Sequence, residues 1–200
     1  VLHDGVPVIY TLSEPYGAKD WWPCKQALSD KADSVDITVY TPSPNFAVSN
    51  GLLKSQTESN GISTFRWKHK YPVATYLIAI AVTNFTHFRL KAVLSSGDTL
   101  PIDNYCYPEH LANWQAGMPA ITGIMQDFDT LFAPYPFARE KYGHCEFAFG
   151  GGMEHQTISF MQNTDIGLQA HELAHHWFGN KITCHSWQDI WLNEGFATYM

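Results

Sequence analysis

Two histidines four residues apart bracket an acid in the segment His171-Glu172-Leu173-Ala174-His175. On an α-helix, positions i and i+4 stack on one face, so both imidazoles can grip one tetrahedral zinc ion. Glu172 stands about 100° further round the helix. That angle makes it a poor third ligand beside its neighbours, but it lets the carboxylate reach a water at the metal and act as a general base. A third protein ligand is still needed, and Glu194 is the candidate. His185 is a weaker local alternative. His176 points to another face and reads as packing or support. The other histidines, His3, His69, His87, His110 and His144, are scattered along the chain. Two histidines and a carboxylate around one zinc, with a base beside an open position, is hydrolytic chemistry.

The elements around these residues must hold them in register. Asp165 is a good N-cap, and a helix from there runs through both histidines to Gly179-Asn180, a typical stop. A turn and a short strand-like connection, Lys181 to His185, lead to a second helix. That helix begins near Asn193 and is still running at Met200, so an antiparallel return would bring Glu194 against the first. Upstream, a strand-like segment His144 to Phe149 ends in Gly150-Gly151-Gly152. Before it, Leu111, Trp114, Met118, Ile121, Met125, Phe128 and Phe132 recur at three- and four-residue steps. That period predicts one helix with an apolar face, starting just after Pro108-Glu109.

The first half reads as β. Val6 to Thr11, Asp36 to Thr41, Ile62 to Lys68, Tyr76 to Val82 and Phe85 to Leu94 are rich in β-branched and aromatic residues. Turn signals such as Asn50-Gly51, Asn60-Gly61 and Ser95-Ser96-Gly97-Asp98 separate them. The composition changes near residues 95–98. Two units are therefore expected, residues 1–96 and residues 97–200, with an α+β fold overall.

Composition narrows the function classes. The chain has 200 residues, 45% of them apolar, and a formal net charge of -7 from 12 basic and 19 acidic residues. No basic run stands out, which argues against a nucleic-acid partner. The four cysteines, Cys24, Cys106, Cys145 and Cys184, form no CxxC pair, so they read as free thiols rather than a structural metal site. The longest apolar stretch, Val73 to Val82, is too short to span a bilayer. Neither a signal peptide nor a compartment is legible.

Three motifs in order resemble the zinc aminopeptidases of the gluzincin clan, the family of aminopeptidase N and leukotriene hydrolase. HELAHHWFGN, His171 to Asn180, is similar to that family's zinc helix. WLNEGFATY, Trp191 to Tyr199, is similar to its third-ligand helix, and the eighteen residues between His175 and Glu194 match its spacing. GGMEH, Gly151 to His155, resembles its exopeptidase motif. Weaker similarity covers Pro134 to Phe137, Lys141 to Gly143, Ser13 to Pro15 and Trp22 to Cys24, so the resemblance spans nearly the whole chain.

The resemblance implies a fold, a cofactor and a set of roles. The fold would be the rear part of a β-sandwich-like N-terminal domain followed by the front part of a thermolysin-like zinc metallopeptidase domain. His171, His175 and Glu194 would bind one Zn(2+), and Glu172 would be the base, taking a proton from water and passing it to the leaving amine. Glu154, with Glu14 as a second carboxylate, would hold the free ammonium of a peptide substrate by charge-assisted hydrogen bonds. Gly151, Gly152 and Met153 would let the substrate lie along their strand.

Two departures stand beside these roles: His155 where the family usually has Asn, and Leu12 where many members have Gln. The family's oxyanion-supporting tyrosine lies well beyond the third-ligand helix, so the 200 residues are expected to be an internal piece of a longer enzyme, weakly active or inactive alone. The rival readings are an epoxide hydrolase on the same zinc and a non-catalytic zinc-fold binding protein. An intact Glu172 counts against the latter.

Overall fold

The computed structural model describes all 200 residues. Strands β1 (Leu2–His3) and β2 (Val6–Pro7) make a small hairpin. Strand β3 (Ile9–Tyr10) follows, and then β4 (Val35–Pro42), β5 (Phe46–Ser49), β6 (Leu52–Ser59), β7 (Ile62–His69) and β8 (Ile80–Thr83). These form two antiparallel three-stranded sheets, ordered β3-β8-β5 and β4-β7-β6. Strand β7 shows why: Ser63, Phe65, Trp67 and His69 are buried and alternate with more exposed residues, the period of a strand with one face in the core. In contrast, β6 carries Lys54, Ser55, Gln56, Thr57 and Glu58 along a solvated edge.

Strands β9 (Thr86–Val93) and β10 (Thr99–Cys106) form a hairpin, so the change of composition at 95–98 falls within one sheet. Helices α1 (Leu111–Gly117) and α2 (Ala120–Leu131) come next. Then follow β11 (Tyr142–Glu146), β12 (Gly152–Met153), β13 (Ser159–Met161), α3 (Ile166–Ala174) and α4 (Trp191–Tyr199). The five strands β12-β13-β11-β10-β9 make a mixed sheet, parallel between β10 and β11 and between β11 and β13.

This sheet is covered on both faces. On one, Leu100, Ile102 and Tyr142 pack with Ile121, Met125 and Phe128 of α2 and with Leu173 of α3. On the other, Tyr105, Cys145 and Phe160 join Phe65, Trp67, Leu77 and Val82 in the core of the two smaller sheets. The architecture is α+β, and the β half and the helical half share one central sheet.

The structure departs from the sequence expectations locally. The single helix expected over Leu111 to Phe132 is two, because Pro119 interrupts it and becomes the N-cap residue of α2. The strand expected over Tyr76 to Val82 is a 3-10 turn at Thr75–Leu77 followed by β8. The link Lys181 to His185 is not a strand; it carries only an isolated bridge between Phe178 and Ile182. All four cysteines are free, three of them buried. No helix is long and apolar enough to cross a membrane.

Candidate metal centre

Helix α3 begins where the side chain of Asp165 accepts a hydrogen bond from the amide of Leu168 at 2.9 Å, meeting one of the four donors that a helix start leaves free. One turn apart at its far end, His171 and His175 bring their Nε2 atoms to 3.0 Å. Helix α4 packs against α3 and carries Glu194, whose Oε2 lies 3.2 Å from His171 Nε2 and 3.4 Å from His175 Nε2. Ligand atoms of a tetrahedral zinc at ordinary bond lengths stand about 3.3 Å apart. The three separations bracket that value. Two imidazole nitrogens and one carboxylate oxygen are also the donor types zinc takes, so the residues present fit the ion.

The surroundings support the same fit. His175 Nδ1 meets the carbonyl of Phe178 at 3.1 Å, so Nε2 is the nitrogen presented to His171 and Glu194. Burial alone would lower the pKa of His175, but Glu154, Glu194 and Glu172 outweigh it and push it up to about 10. The hydrogen bonds from His171 and His175 hold Glu194 well below the usual carboxylate range. His185 is exposed and lies outside the group.

Glu172 is buried, and its Oε2 has no hydrogen-bond partner. Burial raises its pKa well above the ordinary value, and Glu154 raises it further. Gly152 of β12 lies directly on this side chain: a Cβ there would sit 2.3 Å from Glu172 Oε1. Next to Gly152, Gly151 has φ +86°, which a side chain would resist. Strand β12 is the edge of its sheet, paired on one side only with β13. Met153 turns into the core.

Glu154 is also buried, and its Oε1 has no partner. Carboxylate oxygens of Glu14, Glu154 and Glu194 lie within 4.8 Å of one another. Burial, and then Glu154 and Glu194, push Glu14 up to about 8. Three carboxylates gathered this closely would be satisfied by a positively charged ligand. Glu194 belongs to both groups, the one with two histidines and the one with two glutamates. The two groups therefore share a residue.

Asn180 and Asn50, which the sequence did not single out, and His176, read there as packing or support, hold the segment of Glu154 in place. Asn180 Nδ2 donates to the Glu154 carbonyl at 2.8 Å. The amide of Thr157 donates to His176 Nε2 at 3.0 Å, and His176 Nδ1 donates to the carbonyl of Glu172 at 3.2 Å. His176 thus ties the segment after β12 to α3, with both its nitrogens used. From the β half, Asn50 Nδ2 donates to the Gln156 carbonyl at 2.7 Å, and the amide of Gly51 to Thr157 Oγ1 at 2.8 Å. Asn50-Gly51 read only as a turn in the sequence. The His155 ring is fully buried against Phe160 and has no hydrogen-bond partner, and Leu12 packs on the β core.

Comparison with known proteins follows the same lines. Residues 121–200 match the peptidase family M1 domain. The chain is 27% identical over 208 residues to endoplasmic reticulum aminopeptidase 1 of Homo sapiens, covering 95% of this chain and 22% of that protein. It is 31% identical over 209 residues to aminopeptidase M1-C of Oryza sativa subsp. japonica, covering 95% of this chain and 23% of that protein. Among solved structures, the M1 zinc metallopeptidase from Deinococcus radiodurans superposes with a TM-score of 0.83 at 28% identity, over 96% of this chain and 44% of that one. A mutant of that protein bound to a Tyr-Ser-Ala substrate gives 0.82 at 28% identity, over 96% of this chain and 45% of its own. The chain spans less than a quarter of the length of these curated relatives and under half of these solved chains.

Proposed function

We propose, for a chain that belongs to peptidase family M1, that it supplies the core of a zinc-dependent aminopeptidase. Such an enzyme removes the first residue of peptides with a free N-terminus. The observation that carries this reading is the shared Glu194, which lies with His171 and His175 on one side and gathers with Glu14 and Glu154 on the other. An ammonium held by those carboxylates lies a few ångströms from the metal position, about the reach of one residue's backbone. That geometry measures cleavage from the N-terminus.

Zinc held by His171, His175 and Glu194 would supply Lewis acidity, acidifying water and polarising the scissile carbonyl. The chain's own residues do the rest. Glu172, beside that spot with an unpartnered oxygen, takes a proton from the attacking water and delivers it to the departing amine. Glu154 and Glu14 hold the substrate ammonium by charge-assisted hydrogen bonds. The substrate backbone lies along the open edge of β12, where Gly151 and Gly152 admit close approach.

The Glu172→Gln variant of the full-length protein tests this. It is expected to bind one zinc as the wild type does at these ligands, while cleavage of aminoacyl-arylamides falls by about 10²–10⁴-fold, the usual range for a positioned general base. N-acetylated substrates should resist the wild type, since they carry no ammonium. Unchanged turnover in Glu172→Gln, or equal cleavage of acetylated peptides, would overturn the assignment.

A further inference from the structure

A second cluster of ligating groups lies apart from α3 and α4, and shares no residue with the site above. The turn Pro108–His110, which leads into α1, presents Glu109 and His110 beside His3 of β1. The sequence separates His3 from this turn by more than a hundred residues, which is why these histidines read as scattered. In the fold, one ligand atom from each of His3, Glu109 and His110 lies within 4.8 Å of the others.

The two rings are held from behind. His110 Nδ1 bonds Glu146 Oε1 at 2.6 Å, and Glu146 Oε2 accepts from the amide of Tyr107 at 2.8 Å. Glu146 is buried, so it is a fixed carboxylate that orients the imidazole and leaves Nε2 for another partner. The ring of His3 stacks on Tyr107 with centroids 3.8 Å apart and 16° between planes, and its Nε2 already meets Glu109 Oε1. A histidine oriented by a buried carboxylate, a second histidine clamped by stacking and a carboxylate between them make a preorganised donor set.

We infer that His3, Glu109 and His110 form a second divalent-metal site, which takes zinc or another borderline ion such as cobalt or nickel. Two imidazoles and one carboxylate suit those ions, and disfavour calcium or magnesium, which take oxygen ligands. The three side chains are 24%, 42% and 41% exposed, so solvent completes the coordination and the ion exchanges readily. Bound metal would clasp the β1–β2 hairpin to the entry of α1, joining the start of the chain to the helical half.

Equilibrium dialysis of the full-length protein against zinc, followed by metal analysis, tests the site. The wild type is expected to hold one more equivalent than either His110→Ala or His3→Ala. The same difference is expected in a His175→Ala background, where the ion on α3 is lost, so failure of the aminopeptidase reading would leave this result intact. Glu109→Gln, an exposed and nearly isosteric change, repeats the test without the risk of disturbing the fold. Equal zinc content in wild type, His110→Ala and Glu109→Gln would overturn the site.

Discussion

Gly152 carries more of the chemistry than its lack of a side chain suggests. Its backbone is outside the left-handed region, so alanine there costs no conformational strain, yet the added Cβ would fall 2.3 Å from Oε1, 2.5 Å from Cδ and 2.7 Å from Cγ of Glu172. The carboxylate would have to move, so Gly152→Ala would displace the proposed base from the strand that faces α3. A shift of about 1 Å in a catalytic group costs about 10²-fold. Gly152→Ala should lose about that much in kcat/KM with zinc content and folding unchanged. Near-wild-type turnover would mean that Glu172 need not sit where it does. At this scale the sequence was informative where function is local. His171, Glu172 and His175 are legible because helix periodicity alone arranges them. Glu194 is legible as a carboxylate at a plausible return distance, and Glu154 and Glu14 only through the resemblance. His176 reads as packing or support, and its bonds bear that out, but Asn180 and Asn50 are not legible as supports, because their partners, the carbonyls of Glu154 and Gln156, are distant in sequence.

Elements show where pattern reading succeeds and where it fails. Helix α3 follows its cap and its period but ends at Ala174, short of the stop expected at Gly179-Asn180, and β7 follows its alternation. Strand β10 was missed because it carries Pro101, Asp103 and Asn104, residues foreign to strands. The fold tolerates them for separate reasons. Pairing with β11 begins at Ile102, so Pro101 has a strand partner on one side only. Asp103 is buried but accepts from His87 Nε2 at 2.8 Å, Arg89 Nε at 2.6 Å and Arg89 Nη2 at 3.1 Å, across the hairpin from β9. Burial would raise its pKa, and the bonds from His87 and Arg89, with the charge of Lys141, bring it instead to about 2 from its usual 3.8. A depressed carboxylate stabilises the fold above its unfolded pKa, and loses that contribution as pH falls through the folded one. The gap in urea stability between wild type and Asp103→Asn should be on the order of 2 kcal/mol near neutrality, and should close between about pH 4 and pH 2. A gap that persists unchanged at pH 2 would mean that the ionised carboxylate is not what holds β9 to β10.

Across the whole molecule, the β half and the helical half are bound by buried polar groups as well as by a shared core. His69, at the end of β7, is fully buried, and its Nδ1 donates to Glu140 Oε2 at 2.5 Å while its Nε2 accepts from Gln156 Nε2 at 2.7 Å. Glu140 Oε1 accepts from the amide of Lys70 at 2.7 Å, and Gln156 Nε2 also reaches the carbonyl of Pro72 at 2.9 Å. The same small network thus joins a β7 residue, the loop before β11 and the segment two residues beyond Glu154. Composition could suggest two units, but not that their contact is wired through a histidine, since nothing local marks His69 or Glu140 as paired. Removing one member leaves a buried carboxylate short of a donor, and such breaks cost about 3–5 kcal/mol. His69→Ala should destabilise the protein by that order. Because Phe65, Trp67 and Tyr105 lie in one core with Phe147 and Phe160, the loss should appear as an earlier single transition, coincident by tryptophan fluorescence and far-ultraviolet circular dichroism, and not as the separate melting of one half. Two resolved transitions would show the halves to be independent. The position of Glu154 would then rest on Asn180 and His176 alone, and the β half would be a neighbour of the metal centre and not part of its frame.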